Sequence, residues 1–86
     1  MTKNGFKTKR LPLAAFLHCT RFLEFAGLET CDQITVAFVF DDPQQKAEDL
    51  ELEFDQGRAT VDARAFSSSE RFLKNKLHRA LRQERD

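Results

Sequence analysis

Two carboxylates, Asp41 and Asp42, stand side by side after the apolar run VAFVF, and Glu48 follows within a turn or two of any helix that starts there. Such a set could hold Mg²⁺ or divide the work of acid and base. A divalent ion needs ligands that converge, however, and neighbouring side chains at a strand end point to opposite faces. The order Asp42, Pro43, then Gln45 has the form of a helix start, with a carboxylate for exposed N–H groups, a proline whose φ is already set and a glutamine to reach back. The carboxylates are therefore read as caps. His18, Cys19, Cys31 and His78 supply the ligand types of a zinc site, but their spacing matches no zinc pattern, and residues as close as 18 and 19 seldom bind one ion. Cys19 with His78 as its base would make a nucleophilic pair, yet a buried Cys behaves as a small apolar residue. Gly5, Gly27 and Gly57 are isolated, so no phosphate-binding loop is predicted, and Ser67–Ser69 reads as a helix start. The expectation is a non-catalytic chain without metal or cofactor.

A basic stripe offers different chemistry. On a helix predicted after Asp62, residues Arg64, Arg71, His78, Arg82 and Arg85 fall within about 80° of arc opposite the apolar face, with Lys74 beside them. Arg71, Lys74, Arg82 and Arg85 are the residues that would follow a phosphate backbone, helped by a basic N-terminus. Against that stand a net charge of zero, the spacing of Glu70 and Lys74, which suits an ion pair, and aromatic residues limited to Phe. The preferred expectation is a solvated charged face, or one that meets the acidic helix of a partner.

The elements that must carry these residues follow from periodicity. LPLAAFLHCT reads as a short helix, with Leu13, Phe16, Leu17 and Thr20 at steps of three and four and Pro12 tolerable in the first turn. Extending the same face would bring Glu24 inward, so the phase breaks near Thr20. RFLEFAGLET and QITVAFVF read as antiparallel strands joined at Cys31, Asp32 and Gln33. The competing expectation runs the helix on to Ala26, with Gly27 as a left-handed cap. After Pro43 a helix buries Ala47, Leu50 and Phe54 and ends at Gly57. Asp62 caps a last helix whose apolar face is Phe66, Leu73, Leu77, Ala80 and Leu81, although Ser67 and Glu70 form a second possible start. Residues 1–7 are read as a flexible polar start and residues 84–86 as a frayed end.

The predicted fold class is therefore α+β, helix-strand-strand-helix-helix, in a single domain of 86 residues. A chain this short buries only about 60–65 % of the surface its unfolded form exposes. A lone two-stranded hairpin is marginal in water. Two copies pairing edge to edge into a four-stranded sheet would remedy both, and Ile34, Val36, Phe38 and Phe40, or the strand edge that holds them, are expected to carry that homodimer. The nine Phe, with no Tyr or Trp, suit packing better than polar recognition. Charge lies in blocks: five bases and no acid over 1–23, eleven acids over 24–62, seven bases over 63–86. This suggests basic ends folding on an acidic middle, within one molecule or across a dimer. No apolar run approaches the roughly 18 residues of a membrane span. With only two cysteines and no leader-like opening, a cytoplasmic setting with reduced thiols is expected.

The ordered set LAAFL (13–17), GLE with AFVFDD (27–29 and 37–42), GRATVDARAF (57–66) and LKNKL (73–77) resembles a family of small bacterial proteins known only as a domain of unknown function. The resemblance covers about Phe6 to Leu77. Ala63 stands where those relatives often have a proline after the aspartate, and Thr8 is followed by Lys9 and Arg10 where they tend to have Thr-Asp. The resemblance implies the same small α+β fold and leaves activity, cofactor and partner blank. Function is thus expected to be that of a self-associating protein-interaction module, with a nucleic-acid-binding accessory protein as the alternative.

Overall fold

The computed structural model describes residues 5–30 and 35–84, with side chains as far as Leu81. In chain order the elements are β1 (Gly5–Thr8), α1 (Leu11–Thr20), β2 (Glu24–Thr30), β3 (Val36–Asp41), α2 (Ala47–Asp55) and α3 (Ala63–Glu84). The α+β class is as read from the sequence, and the sheet has one strand more than predicted.

Helix α1 spans the predicted residues, yet it buries more than one face. Leu13, Ala14, Ala15, Phe16 and Leu17 are all buried in succession. A helix apolar all round must be enclosed, and α1 packs against α2, α3 and β1. Its last turn is closed by its own side chains: Cys19 Sγ donates to the Phe16 carbonyl at 3.3 Å and Thr20 Oγ1 to that of Leu17 at 3.0 Å. Arg21 then takes the left-handed conformation, φ 65°, which costs an L residue about 1 kcal/mol. That reversal sends the chain into β2, so the helix does not continue to Ala26. Gly27, at φ 140°, instead serves a β-bulge between Phe25 and Gly27.

Strand β3 is the middle of the sheet, paired antiparallel to β2 on one side and to β1 on the other. The register places Phe6 and Phe25 opposite Phe40, and Thr8 and Leu28 opposite Phe38. This face meets the helices, with Phe38 and Phe40 at 1 % and 0 % exposure. The other face carries Val39 and Ala37 beneath a Lys7–Glu29 ion pair of 2.6 Å. The edge expected to recruit a second copy is thus filled by residues 5–8 of the same chain, so residues 5–7 of the expected flexible start are a strand, while residues 1–4 lie outside the described residues. β1 is only four residues long with one apolar side chain, too little for alternation to show. The expected turn at Cys31–Gln33 lies outside the described residues.

Asp42 is the cap it was expected to be, but the helix begins later. Its buried carboxylate accepts from the Lys46 N–H at 2.7 Å and the Ala47 N–H at 3.0 Å. The Gln45 N–H donates to the Asp42 carbonyl at 3.0 Å with Gln45 at φ 55°, so residues 42–45 form a turn and Gln45 is not the reach-back residue. α2 sets Ala47, Leu50 and Phe54 inward, the last stacked on Phe16 at 5.3 Å. It ends in a Schellman motif: the Gly57 N–H donates to Phe54 O at 3.2 Å, the Arg58 N–H to Glu53 O at 2.9 Å, and Gly57 sits at φ 75°. Asp62 starts α3, its Oδ2 accepting from the Ala65 N–H at 2.9 Å, so the helix starts before Ser67. Leu73 is fully buried on its inner row, with Phe66 and Leu77 packed beside it.

Candidate functional site

Of the residues nominated for self-association, Val36, Phe38 and Phe40 are buried in the chain's own core, and Ile34 lies outside the described residues. Both edges of their strand are occupied. The expectation that they form an exposed dimer surface is corrected for the described three: a central strand has no free edge, and its Phe side chains are covered by helices.

The nucleic-acid nominees fare differently. Arg71 and Lys74 are exposed on α3. The side chain of Arg82, and Arg85 altogether, lie outside the described residues. Counted at 100° per residue from Leu73, the outward arc of roughly 140° holds Lys74, His78, Arg71, Arg64 and Arg79. Asn75, Ser67 and Ser68 fill the spaces, all exposed, and no carboxylate falls on this arc. The ion pairs found among the described residues join Lys7 to Glu29 and Arg10 to Glu51 and Asp55; none uses a cation of α3. Arg10 spans both acids at 2.6–3.5 Å, which holds the Asp55 carboxyl below its ordinary value, chiefly through the hydrogen bond. Two basic residues near the N-terminus, Lys7 and Arg10, thus fold onto the acidic middle, while Arg64, Arg71, Lys74 and Arg79 on α3 are exposed.

Beside this arc, between the last turn of α1 and the first turns of α3, lies a cleft of about 520 Å³ lined by residues that include His18, Arg21, Arg64, Ser68, Ser69 and Phe72. His18 Nδ1 shares a 2.7 Å hydrogen bond with Ser69 Oγ, which is itself buried. The imidazole stacks on Phe72 with centroids 5.0 Å apart, and Phe25 meets both rings edge-on at 6.2 and 5.9 Å. Burial, followed by the charge of Arg21, lowers the His18 pKa from its ordinary value of 6.5 and so favours the neutral ring. Cys19 also lines the cleft. Burial pushes its thiol pKa up, outweighing a backbone hydrogen bond, which makes it a poor nucleophile. His78, its sequence-proposed base, is exposed on the outward arc of α3. Asp41 is exposed where Asp42 is buried, and no described His, Cys, Asp and Glu residues group in threes to hold a metal. No described helix is long and apolar enough to cross a membrane.

The sequence reading missed Arg79, Arg21 and the cleft. Arg79 lies on the flank of α3 shared with Phe72, outside the stripe drawn through Arg64 and Arg71. Arg21 is positioned by an αL reversal that has no local signature, and His18 and Ser69 meet across 51 residues. A scan against protein-family models gave no match, and comparisons with curated proteins and with solved structures gave none either. The functional reading therefore rests on the residues themselves.

Proposed function

We propose that this chain is a non-catalytic, cytoplasmic nucleic-acid-binding accessory protein that lays the outward face of α3 along a phosphate backbone. One observation carries the reading: Arg64, Arg71, Lys74 and Arg79 are exposed on one arc, and no described ion pair involves them. Arg64 to Arg79 spans roughly 22 Å of helix, which matches about six phosphates at 3.4 Å of rise per strand. Zero net charge is no obstacle, because screening at physiological ionic strength limits exposed charges to about 8 Å and leaves the local arc to decide. Fluorescence anisotropy with a labelled 12-nucleotide strand tests this at low salt: the wild type binds and the Arg64→Gln/Arg71→Gln variant binds more weakly. Equal binding by the two refutes it.

Self-association is the second reading, and it moves to a different surface. Leu52 is 55 % exposed on α2, with Glu48, Asp49 and Glu53 exposed around it. On α3, Phe72 is 39 % exposed beside Arg71 and Lys76. An apolar centre with a charged rim is the usual anatomy of an interface, and the two faces have opposite charge. In this reading α2 of one copy docks on α3 of another, and sedimentation shows a particle heavier than one chain that dissociates as salt rises. A monomer at every salt concentration and at tens of micromolar protein excludes it.

A further inference from the structure

We infer that the cleft between α1 and α3 takes one unpaired nucleotide of a strand bound along α3, which makes the protein selective for single-stranded over duplex nucleic acid. The inference rests on the nucleic-acid reading of α3 and specifies what that surface recognises. Arg64 and Ser68 belong both to the outward arc and to the rim of the cleft, so a backbone following the arc passes its mouth. A volume of about 520 Å³ lies within the range of roughly 300–1,000 Å³ typical of small-molecule sites. The chemistry inside suits a base attached to a phosphate. Phe72 and His18 form an aromatic platform, braced from below by the His18–Ser69 hydrogen bond and from the side by Phe25. Burial disfavours the charged imidazole, so the neutral ring, which carries no charge to desolvate, is the favoured form.

Arg21 and Arg64 supply two guanidinium groups at the mouth, and neither takes part in a described ion pair. Phe72 keeps 39 % of its surface in solvent with the Lys76 ammonium 5.3 Å from its ring centroid. Asp62 also lines the cleft. Its Oδ2 is engaged by the Ala65 N–H, and its other oxygen is an acceptor for an exocyclic amine. Duplex bases are stacked and paired, so only a single strand can offer a ring to this platform without loss.

The test compares four probes by anisotropy at one low salt concentration: a labelled 12-nucleotide strand, the same length built of abasic sites, the corresponding duplex, and free adenosine monophosphate as competitor. The base-bearing strand is expected to bind about fivefold or more tightly than the abasic one, since stacking on an aromatic side chain is typically worth about 1–3 kcal/mol. The Phe72→Leu variant is expected to lose this difference while keeping its salt dependence. The monophosphate, lacking the contacts along α3, is expected to compete at least a hundredfold more weakly than the strand. Equal binding of base-bearing and abasic strands overturns the inference and leaves the α3 reading standing. Equal potency of the free nucleotide overturns the strand as its source. Absence of binding to any strand or duplex overturns both readings together.

Discussion

If α3 neutralises phosphates with Arg64, Arg71, Lys74 and Arg79, affinity must fall with salt at a slope set by that count. Each phosphate neutralised on a single strand releases a counterion and adds about −0.7 to the slope of log K against log salt, so four give about −2.8. Raising monovalent salt from about 50 to about 200 mM then weakens binding roughly 50-fold, and on a duplex, at about −0.9 each, roughly 150-fold. Substituting Arg71→Gln together with Lys74→Gln removes two of the four. The single-strand slope should drop to about −1.4 and the same salt step should cost only about sevenfold. Both side chains are exposed, and substitutions at such sites usually change stability by no more than about 0.5 kcal/mol, so circular dichroism should show an unchanged fold. The assay is anisotropy of a labelled oligonucleotide titrated at five or more salt concentrations. A wild-type slope shallower than −1, or a variant slope equal to the wild type's, would refute the reasoning, because either result means these cations do not touch phosphate.

The remaining expectations concern what holds the site in place. Phe40→Ala removes a fully buried ring, at a typical cost of about 3–5 kcal/mol, so the variant should be largely unfolded by circular dichroism; a folded variant with a changed oligomeric mass would restore Phe40 to an interface role. Asp42→Ala leaves the Lys46 and Ala47 N–H groups without their acceptor and should cost about 1–2 kcal/mol, lowering Tm by roughly 5–15 °C; an unchanged Tm would show that water replaces the cap at no cost. Arg21→Gly relieves the αL conformation and should raise stability by up to about 1 kcal/mol while weakening strand binding; a lower Tm would mean that the Arg21 side chain is needed for the fold. His18 has a lowered pKa because burial disfavours its charge, with Arg21 adding to the effect and Asp62 and Arg64 lining the same cleft. Its contribution to stability is therefore complete above the ordinary value of 6.5 and is lost as pH falls below it towards the folded-state pKa. Tm should decline between about pH 7 and pH 5 in the wild type and less so in His18→Gln; parallel curves would show that some other group is titrating.

How much of this was readable in advance depends on how local each signal is. Both ends of α1 were legible, because Pro12 suits only a first turn and Glu24 breaks the apolar phase. The Gly57 stop and the Asp62 start were legible for the same reason, since each is decided by one residue and its immediate neighbours. Strand β1 was not, since a pairing between residues 5–8 and 38–41 leaves no trace in a four-residue stretch with a single Phe. Its absence from the reading had a consequence for function. With β1 missing, β3 looked like an edge, and the apolar face of Val36, Phe38 and Phe40 looked free to meet a second copy. A further strand turns the same residues into an interior. The α3 arc was legible because helical periodicity is local, whereas the cleft was not, because it joins the end of α1 to the start of α3.

The way the chain closes its own sheet also decides which surface is left for binding. Helix α1, enclosed by the sheet, α2 and α3, ties the three layers together and consumes the apolar side of each. The acidic middle is partly neutralised from within, through Arg10 to Glu51 and Asp55 and Lys7 to Glu29. No described ion pair does the same for the bases of α3. A long helix held along one side by Phe66, Leu73 and Leu77 is a rigid support, so the cations on its other side keep a fixed spacing and lose little freedom when they meet a regular array of charge. A flexible basic tail with the same composition would give up more entropy on binding. The placement of those bases on α3, beside a cleft that presents an aromatic ring to solvent, is what favours a polyanion with bases over a simple polyanion. Heparin, which carries the charge without the rings, should accordingly compete for the α3 arc but show no dependence on Phe72.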